Sequence, residues 1–295
     1  VNFPLELNVP LLVGGAINWY VTSRSKDVKF ISASEPDYVL SPQECRHSTL
    51  YMEKRAVQGE PTVFSETFEY TSCGEWHNLR AEDVLPYDTT TALYKEYTAE
   101  REKHIVFSPR LRELAAKLTA GETNPYLKAK RIFRWINDHF PWASAREYST
   151  IENIPEYVLD NRHGDCGQVS LLFITLCRIS GIPAHFQSGF MMHPRAWNLH
   201  DWAEVYFEGV GWVPVDQSLG IPAFARNADE EYFFLGGIDS WRMIVNTDYG
   251  MPLVPEKKYP RSETVDFQRG EVEWEGGNLY FPQWSYHMDI DYLNY

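Results

Sequence analysis

Apolar positions recur with a helical period in the middle of the chain and as strand-like runs on either side. After Asn124-Pro125, residues Ala129, Ile132, Phe133, Ile136 and Phe140 fall at i, i+3, i+4, i+7 and i+11, one face of a helix. Pro141 stops it. Ser108-Pro109 reads as an N-cap followed by proline at the first helical position, and Gly121 closes that segment. Residues 167–179 are almost continuously apolar and are expected as a further helix, ended by Gly181 and Pro183.

The strand-like runs are rich in β-branched and aromatic residues. Residues 17–22 and 62–71 are the clearest near the N-terminus, with turn signals at 34–37 and 58–61. After the helices come 185–192, then 202–207 and 212–215 around a turn at Gly209-Val210-Gly211. The tail holds 241–245, 271–274 and 279–284. Residues 81–107 read as a connecting segment.

The order β, helices, β predicts an α+β protein. Residues 1–105 are expected as an N-terminal β-sandwich-like accessory domain, 106–230 as the core, and 231–295 as a C-terminal β extension packed on it.

Composition narrows the function. Lys plus Arg number 27 against 41 Asp plus Glu, a net charge of −14. Such a chain is a poor partner for nucleic acid, which demands clustered positive charge. No apolar run approaches the ~20 residues of a membrane helix. Ten Trp, 18 Tyr and 16 Phe suit clefts that grip a peptide or glycan. The chain starts at Val1 rather than Met and is read as mature or trimmed. With the acidic charge, this leans towards a secreted or periplasmic protein.

The chemistry concentrates at Arg162-His163-Gly164-Asp165-Cys166-Gly167-Gln168, where a glycine-flanked cysteine opens the 167–179 helix. A helix N-terminus favours thiolate over thiol and offers N–H groups to an oxyanion. Asp165 opposes the thiolate, so a nearby imidazolium is needed to hold it. The candidate base is His200, at the entrance of one strand. The return strand ends at Val215-Asp216, so hairpin pairing brings Asp216 beside His200. The carboxylate then fixes one imidazole nitrogen and the other faces the thiol.

Four motifs occur in order: Gly164-Asp165-Cys166 at a helix start, Gly181-Ile182-Pro183-Ala184 after that helix, His200-x-Trp202-x-Glu204-Val205, and Gly211-Trp212-Val213-Pro214-Val215-Asp216. Together they resemble the transglutaminase-like core superfamily, the branch of papain-like folds that includes peptide N-glycanases and bacterial cysteine proteases. The resemblance covers roughly residues 108–220. It implies helices packed on an antiparallel sheet, with Cys166 as nucleophile, His200 as base and Asp216 as orienter. Animal members carry Gly-Gln-Cys-Trp, where this chain has Gly164-Asp165-Cys166-Gly167. The family's upstream oxyanion tryptophan has its nearest counterpart in Trp142.

The resulting expectation is a thiol-dependent amide-bond hydrolase or acyltransferase. It acts on a peptide, peptidoglycan peptide or glycopeptide and requires no metal or organic cofactor. A non-catalytic peptide- or glycan-binding module is the alternative. Trp197, Trp202, Asp201 and His163 are candidates for the substrate cleft. Cys177 is expected in the core. Cys45 and Cys73 read as a disulfide, as two separate thiols, or with His47 and His77 as a zinc set.

Overall fold

The computed structural model describes residues 5–7, 16–21, 28–144 and 146–293. In chain order the strands and helices are β1 (Leu5–Leu7), β2 (Ala16–Val21), β3 (Val28–Ala33), β4 (Val39–Leu40), β5 (Leu50–Arg55), β6 (Thr62–Phe64), β7 (Glu66–Tyr70), β8 (Glu75–Trp76), α1 (Ala92–Tyr97), α2 (Pro109–Leu118), α3 (Pro125–His139), α4 (Ile154–Asn161), α5 (Cys166–Ile179), β9 (Ala184–His193), β10 (Ala196–Phe207), β11 (Gly211–Val215), α6 (Ala228–Glu231), β12 (Gly237–Ile238), β13 (Arg242–Thr247), β14 (Glu271–Trp274), β15 (Gly277–Leu279) and β16 (Ser285–Tyr286).

The chain forms two compact units. One contains Val1–Ser72 and Met243–Tyr295, the other Cys73–Arg242. This differs from three consecutive domains. The tail strands pair with the first strands of the chain: β14 runs antiparallel to β2, and β16 to β1. Such pairing is a property of register between distant segments, which local periodicity does not encode. The first unit carries a five-stranded sheet ordered β15-β14-β2-β5-β4, a three-stranded sheet β16-β1-β6 and the ladder β3-β7. The expected strand 62–71 breaks at Ser65, whose carbonyl accepts from the Ser34 N–H and whose own N–H donates to Ser34 Oγ. The expected strand 279–284 is replaced by the end of β15 and a 3-10 turn at Phe281–Gln283.

The second unit packs helices on an antiparallel sheet, the α+β class the motifs implied. Ser108, Asn124 and Asp165 each accept a backbone N–H with the side chain at a helix start, the first two where the sequence signals one. Asp165 and Gln168 form a reciprocal capping box, which fixes where α5 begins and hence where Cys166 stands. Helix α5 is buried from Gly167 through Arg178. It packs against α2, α3 and α4 and against β9 and β10. A helix apolar on every side belongs inside a core. The buried Arg178 is satisfied by the carbonyls of Ala184 and Ala99. Cys177 is fully buried on the same helix.

Helix α4 escapes the sequence reading because it is short, although Asn153 caps it and Pro155 sits in its first turn. Helix α1 is one turn and a half of the segment expected as a connector. On the sheet, β9 pairs with β10 over its whole length and β10 with β11. Ala203, Val205, Phe207, Val213 and Val215 are fully buried.

Phe173 is fully buried in α5 and meets Phe133 of α3 edge-on, with centroids 6.3 Å apart. Phe173→Ala is expected to lower the unfolding free energy by about 3–5 kcal/mol, measured by urea denaturation. A loss under about 1 kcal/mol is incompatible with this packing.

Candidate active site

The hairpin register builds the first half of the site. The β10–β11 ladder ends with Ala203 opposite Val215. One step further sets Trp202 against Asp216 and makes His200 the diagonal neighbour of that carboxylate. His200 Nε2 lies 2.7 Å from Asp216 Oδ2, and both side chains are buried. A carboxylate only accepts, so Nε2 carries the hydrogen and Nδ1 is the nitrogen that Asp216 does not hold.

Asp216 is entirely enclosed and has further partners. Arg242 Nη1 stands 2.7 Å from Oδ2, an ion pair without the alignment of a hydrogen bond. Oδ1 accepts from the Leu219 N–H and the Ser218 hydroxyl. Burial alone would raise this carboxyl. The His200 and Arg242 charges and the hydrogen bonds outweigh burial and hold it well below the usual carboxylate range. Arg242 also pairs with Asp239 at 2.8 Å.

Cys166 occupies the first residue of α5 and is partly exposed. Its thiol is directed at Asp201 Oδ2, 3.7 Å away. Among the described residues no hydrogen bond joins Cys166 to His200. The surroundings of the sulfur oppose the expected thiolate. Burial pushes the thiol up, and the carboxylates of Asp201, Asp165 and Asp216 push it further, against an opposing hydrogen bond from the Asp201 backbone. The helix terminus is outweighed because anionic groups cluster closer to the sulfur than its partial charge can offset.

The remaining sequence candidates separate. Trp142 is 64% exposed and forms a parallel bridge with Gly164, two residues before Cys166. The Ala143 N–H donates to the Gly164 carbonyl at 3.1 Å. A cavity of about 190 Å³ is lined by Trp142, Phe140, Gly164, Gln217 and Ser218. A larger one, about 680 Å³, is lined by residues such as Glu102, Arg146 and Asp160 and includes none of the candidates. Trp197 is 40% exposed on β10. Trp202, expected as a cleft wall, is instead fully buried. Its indole N–H donates to Gln187, and its ring lies 6.1 Å from the His200 ring and 5.6 Å from the Arg242 guanidinium. It backs the imidazole from inside the core. Asp201 is 2% exposed, which places it beside the sulfur rather than at an open cation site. His163 is half-buried, with Nδ1 enclosed and without a partner among the described residues.

Cys45 and Cys73 are free thiols, Cys45 in one unit and Cys73 at the first residue of the other. Of the three readings, this is the one with two separate thiols. His47 Nε2 is hydrogen-bonded to the Asp248 carbonyl and His77 to Glu75. Among the described residues no group of three or more His, Cys, Asp or Glu side chains could hold a metal.

Two residues were missed. Arg242 follows Trp241 with no motif around it, and only the fold brings it to Asp216. Tyr148 lies in a 3-10 turn and donates its hydroxyl to Asp165 Oδ1 at 2.6 Å. Gly167 is required beside them, because a Cβ there would stand 2.7 Å from Asp201 Oδ2 and closer still to the Tyr148 hydroxyl.

Residues 112–217 match the family model of the transglutaminase-like superfamily. That stretch runs from α2 to the residue after Asp216 and contains Cys166 and His200. The second unit therefore contains a stretch similar to that superfamily. The uncharacterized protein YebA of Bacillus subtilis is 26% identical over 140 residues, 41% of this chain and 19% of YebA, so the match spans a small part of that relative. The crystal structure of a candidate cysteine protease from Cytophaga hutchinsonii aligns over 99% of this chain and 91% of its own, with a TM-score of 0.59 at 15% identity. That likeness concerns the fold. The periplasmic domain of TgpA from Pseudomonas aeruginosa covers 81% of this chain and 93% of its own with a TM-score of 0.39 at 13% identity.

Asp216→Asn leaves Arg242 buried beside a neutral amide. It is expected to cost about 3 kcal/mol of stability at pH 7. Because the carboxyl is held below its ordinary value, its contribution is complete above about pH 4 and is lost as pH falls further. Urea unfolding of both proteins at pH 7 and pH 3 is expected to show the difference shrinking at the lower pH.

Proposed function

We propose that the Cys73–Arg242 unit is a thiol-dependent amide-bond hydrolase or acyltransferase, with Cys166 as nucleophile, His200 as base and Asp216 as orienter. The observation that carries this is the buried His200–Asp216 pair at 2.7 Å, in a core whose central helix opens with Cys166. A buried imidazole held by an ionised carboxylate is oriented and can stabilise a positive charge when it takes a proton. That arrangement serves proton transfer more than it serves stability. In this reading Cys166 attacks a carbonyl, His200 protonates the leaving amine, and a thioester forms. Water or an amine acceptor, deprotonated by His200, then releases the acyl group.

The backbone N–H of Cys166 supplies one oxyanion donor. The Trp142 indole, on the segment bridged to Gly164, is the proposed second. Trp197 contributes an exposed aromatic face to the cleft. The substrate is a peptide, a peptidoglycan peptide or a glycopeptide, and the acidic, aromatic-rich composition supports a secreted or periplasmic location. No described helix is long and apolar enough to cross a membrane.

A second reading, a non-catalytic peptide- or glycan-binding module, draws support from the thiol's engagement with Asp201 instead of the imidazole. Catalytic hydrogen bonds in unliganded proteins are often loose and tighten with substrate, which favours the enzyme. Hydrolysis of a peptide and cell-wall fragment library separates the two. Cys166→Ala and His200→Ala are each expected to lower turnover by about 10³-fold or more with the fold retained by circular dichroism. Undiminished turnover by Cys166→Ala refutes the nucleophile. No turnover of any library member by the wild type leaves the binding module.

A further inference from the structure

The residues on either side of Cys166 are both held by one phenol. Tyr148 is buried in a 3-10 turn, 17 positions before Asp165. Its hydroxyl donates to Asp165 Oδ1 at 2.6 Å, the same oxygen that accepts the Gln168 N–H at 3.0 Å. Gln168 Oε1 in turn accepts the Asp165 N–H at 3.3 Å. On the other side of the cysteine, a Cβ on Gly167 would stand 2.9 Å from Tyr148 Cε2 and closer still to the hydroxyl. The ring thus passes over the first turn of α5 with room there for a hydrogen atom only.

We propose that Tyr148 is a positioning residue: through Asp165 and across Gly167 it fixes the main chain of Cys166, and with it the place of the sulfur and of the N–H offered to the oxyanion. This rests on the assignment of Cys166 as nucleophile made above.

The helix cap does not require the phenol. Asp165 and Gln168 already satisfy each other's backbone N–H groups. The hydroxyl takes the second lone pair of an oxygen that is in use, and a phenylalanine would fill the same volume. What the hydroxyl adds is a further tie at a helix start, the part of a helix that opens most readily because its first N–H groups have no partner within the helix.

The turn that carries the phenol is itself tied down. The Ile151 N–H donates to the Tyr148 carbonyl at 3.0 Å and the Thr150 hydroxyl to the Glu147 carbonyl at 2.7 Å. Arg146 Nε donates to the Thr150 hydroxyl at 3.1 Å. A firm support is therefore joined to the one turn whose place matters for attack. A displacement of about 1 Å between reacting groups can cost about 10²-fold in rate, so a tie at this point acts on rate before it acts on stability. The phenol keeps its proton throughout and touches no reacting atom.

Tyr148→Phe keeps the ring and removes only the hydroxyl. On the peptide or cell-wall fragment that the wild type turns over fastest, kcat is expected to fall about tenfold with KM within about twofold. The melting temperature is expected to stay within about 4 °C of the wild type. In an Asp165→Ala background the same substitution is expected to cost under about twofold, because the phenol acts through that carboxylate. A Tyr148→Phe with wild-type kcat overturns the proposal, and so does a loss that Asp165→Ala leaves undiminished. Hydrogen exchange reads the tie without any substrate. The Gln168 N–H is expected to exchange about tenfold faster in Tyr148→Phe, while the amides of residues 171–176 keep their rates. Acceleration spread evenly along α5, or none at all, overturns the proposal. Should the variant fail to fold, NMR of the wild type decides. A slowly exchanging Tyr148 hydroxyl proton with a cross-peak to the Gln168 amide supports the proposal, and its absence refutes it. Full-rate hydrolysis by Cys166→Ala, or a wild type that turns over nothing, ends the enzyme reading without altering the exchange rates, so the two failures are distinguishable.

Discussion

One buried carboxylate organises the candidate site of the second unit. Asp216 has no exposure, yet it is charged, and an unpaired charge there is forbidden by its desolvation cost. It persists because an imidazole and a guanidinium meet the same oxygen while a backbone N–H and a hydroxyl meet the other. Each partner is in turn fixed by this demand. His200 cannot rotate without exposing Asp216 to apolar surroundings, and Arg242 crosses the face of Trp202, whose indole is tied to Gln187 on the next strand. The orientation of the His200 imidazole is thus a consequence of electrostatic necessity across three strand segments.

The helical part of this unit was legible because its signals are local. Capping residues, prolines in the first turn and an apolar stripe mark α2 and α3 within windows of about fifteen residues. The start of α5 was legible for the same reason, and so was the diagonal of His200 and Asp216, since a short hairpin leaves register little freedom. What escaped depends on distance. Arg242 reaches Asp216 from 26 positions away, through no repeat or motif. The pairing of β14 with β2 and of β16 with β1 joins opposite ends of the chain, and a run of alternating residues does not name its partner. The break of 62–71 at Ser65 is a hydrogen-bonding event with Ser34, invisible in the alternation itself.

The cysteine illustrates a different limit. Sequence places it at a helix N-terminus, and that terminus does favour an anion. The sign of the outcome is nevertheless set by what the fold adds around the sulfur. Asp165 was visible as a neighbour in sequence, but Asp201 and Asp216 arrive through the sheet. A helix terminus contributes roughly half a unit charge, spread over several N–H groups. A carboxylate in direct contact with the thiol concentrates a whole charge at one point. At Cys166 the neighbouring carboxylates oppose what the helix terminus favours.

This balance also separates two roles that one residue type can play in a single site. Asp216 and Asp201 are both buried carboxylates within one strand pair, but their partners differ. Asp216 faces His200 and Arg242, whose charges hold it below the usual carboxylate range despite its burial. Asp201 faces the Cys166 thiol, which burial and this carboxylate push up. One strand pair thus carries one carboxylate matched with cations and another set against a sulfur, and what each does to its neighbour follows from the partners the fold supplies and not from the residue type.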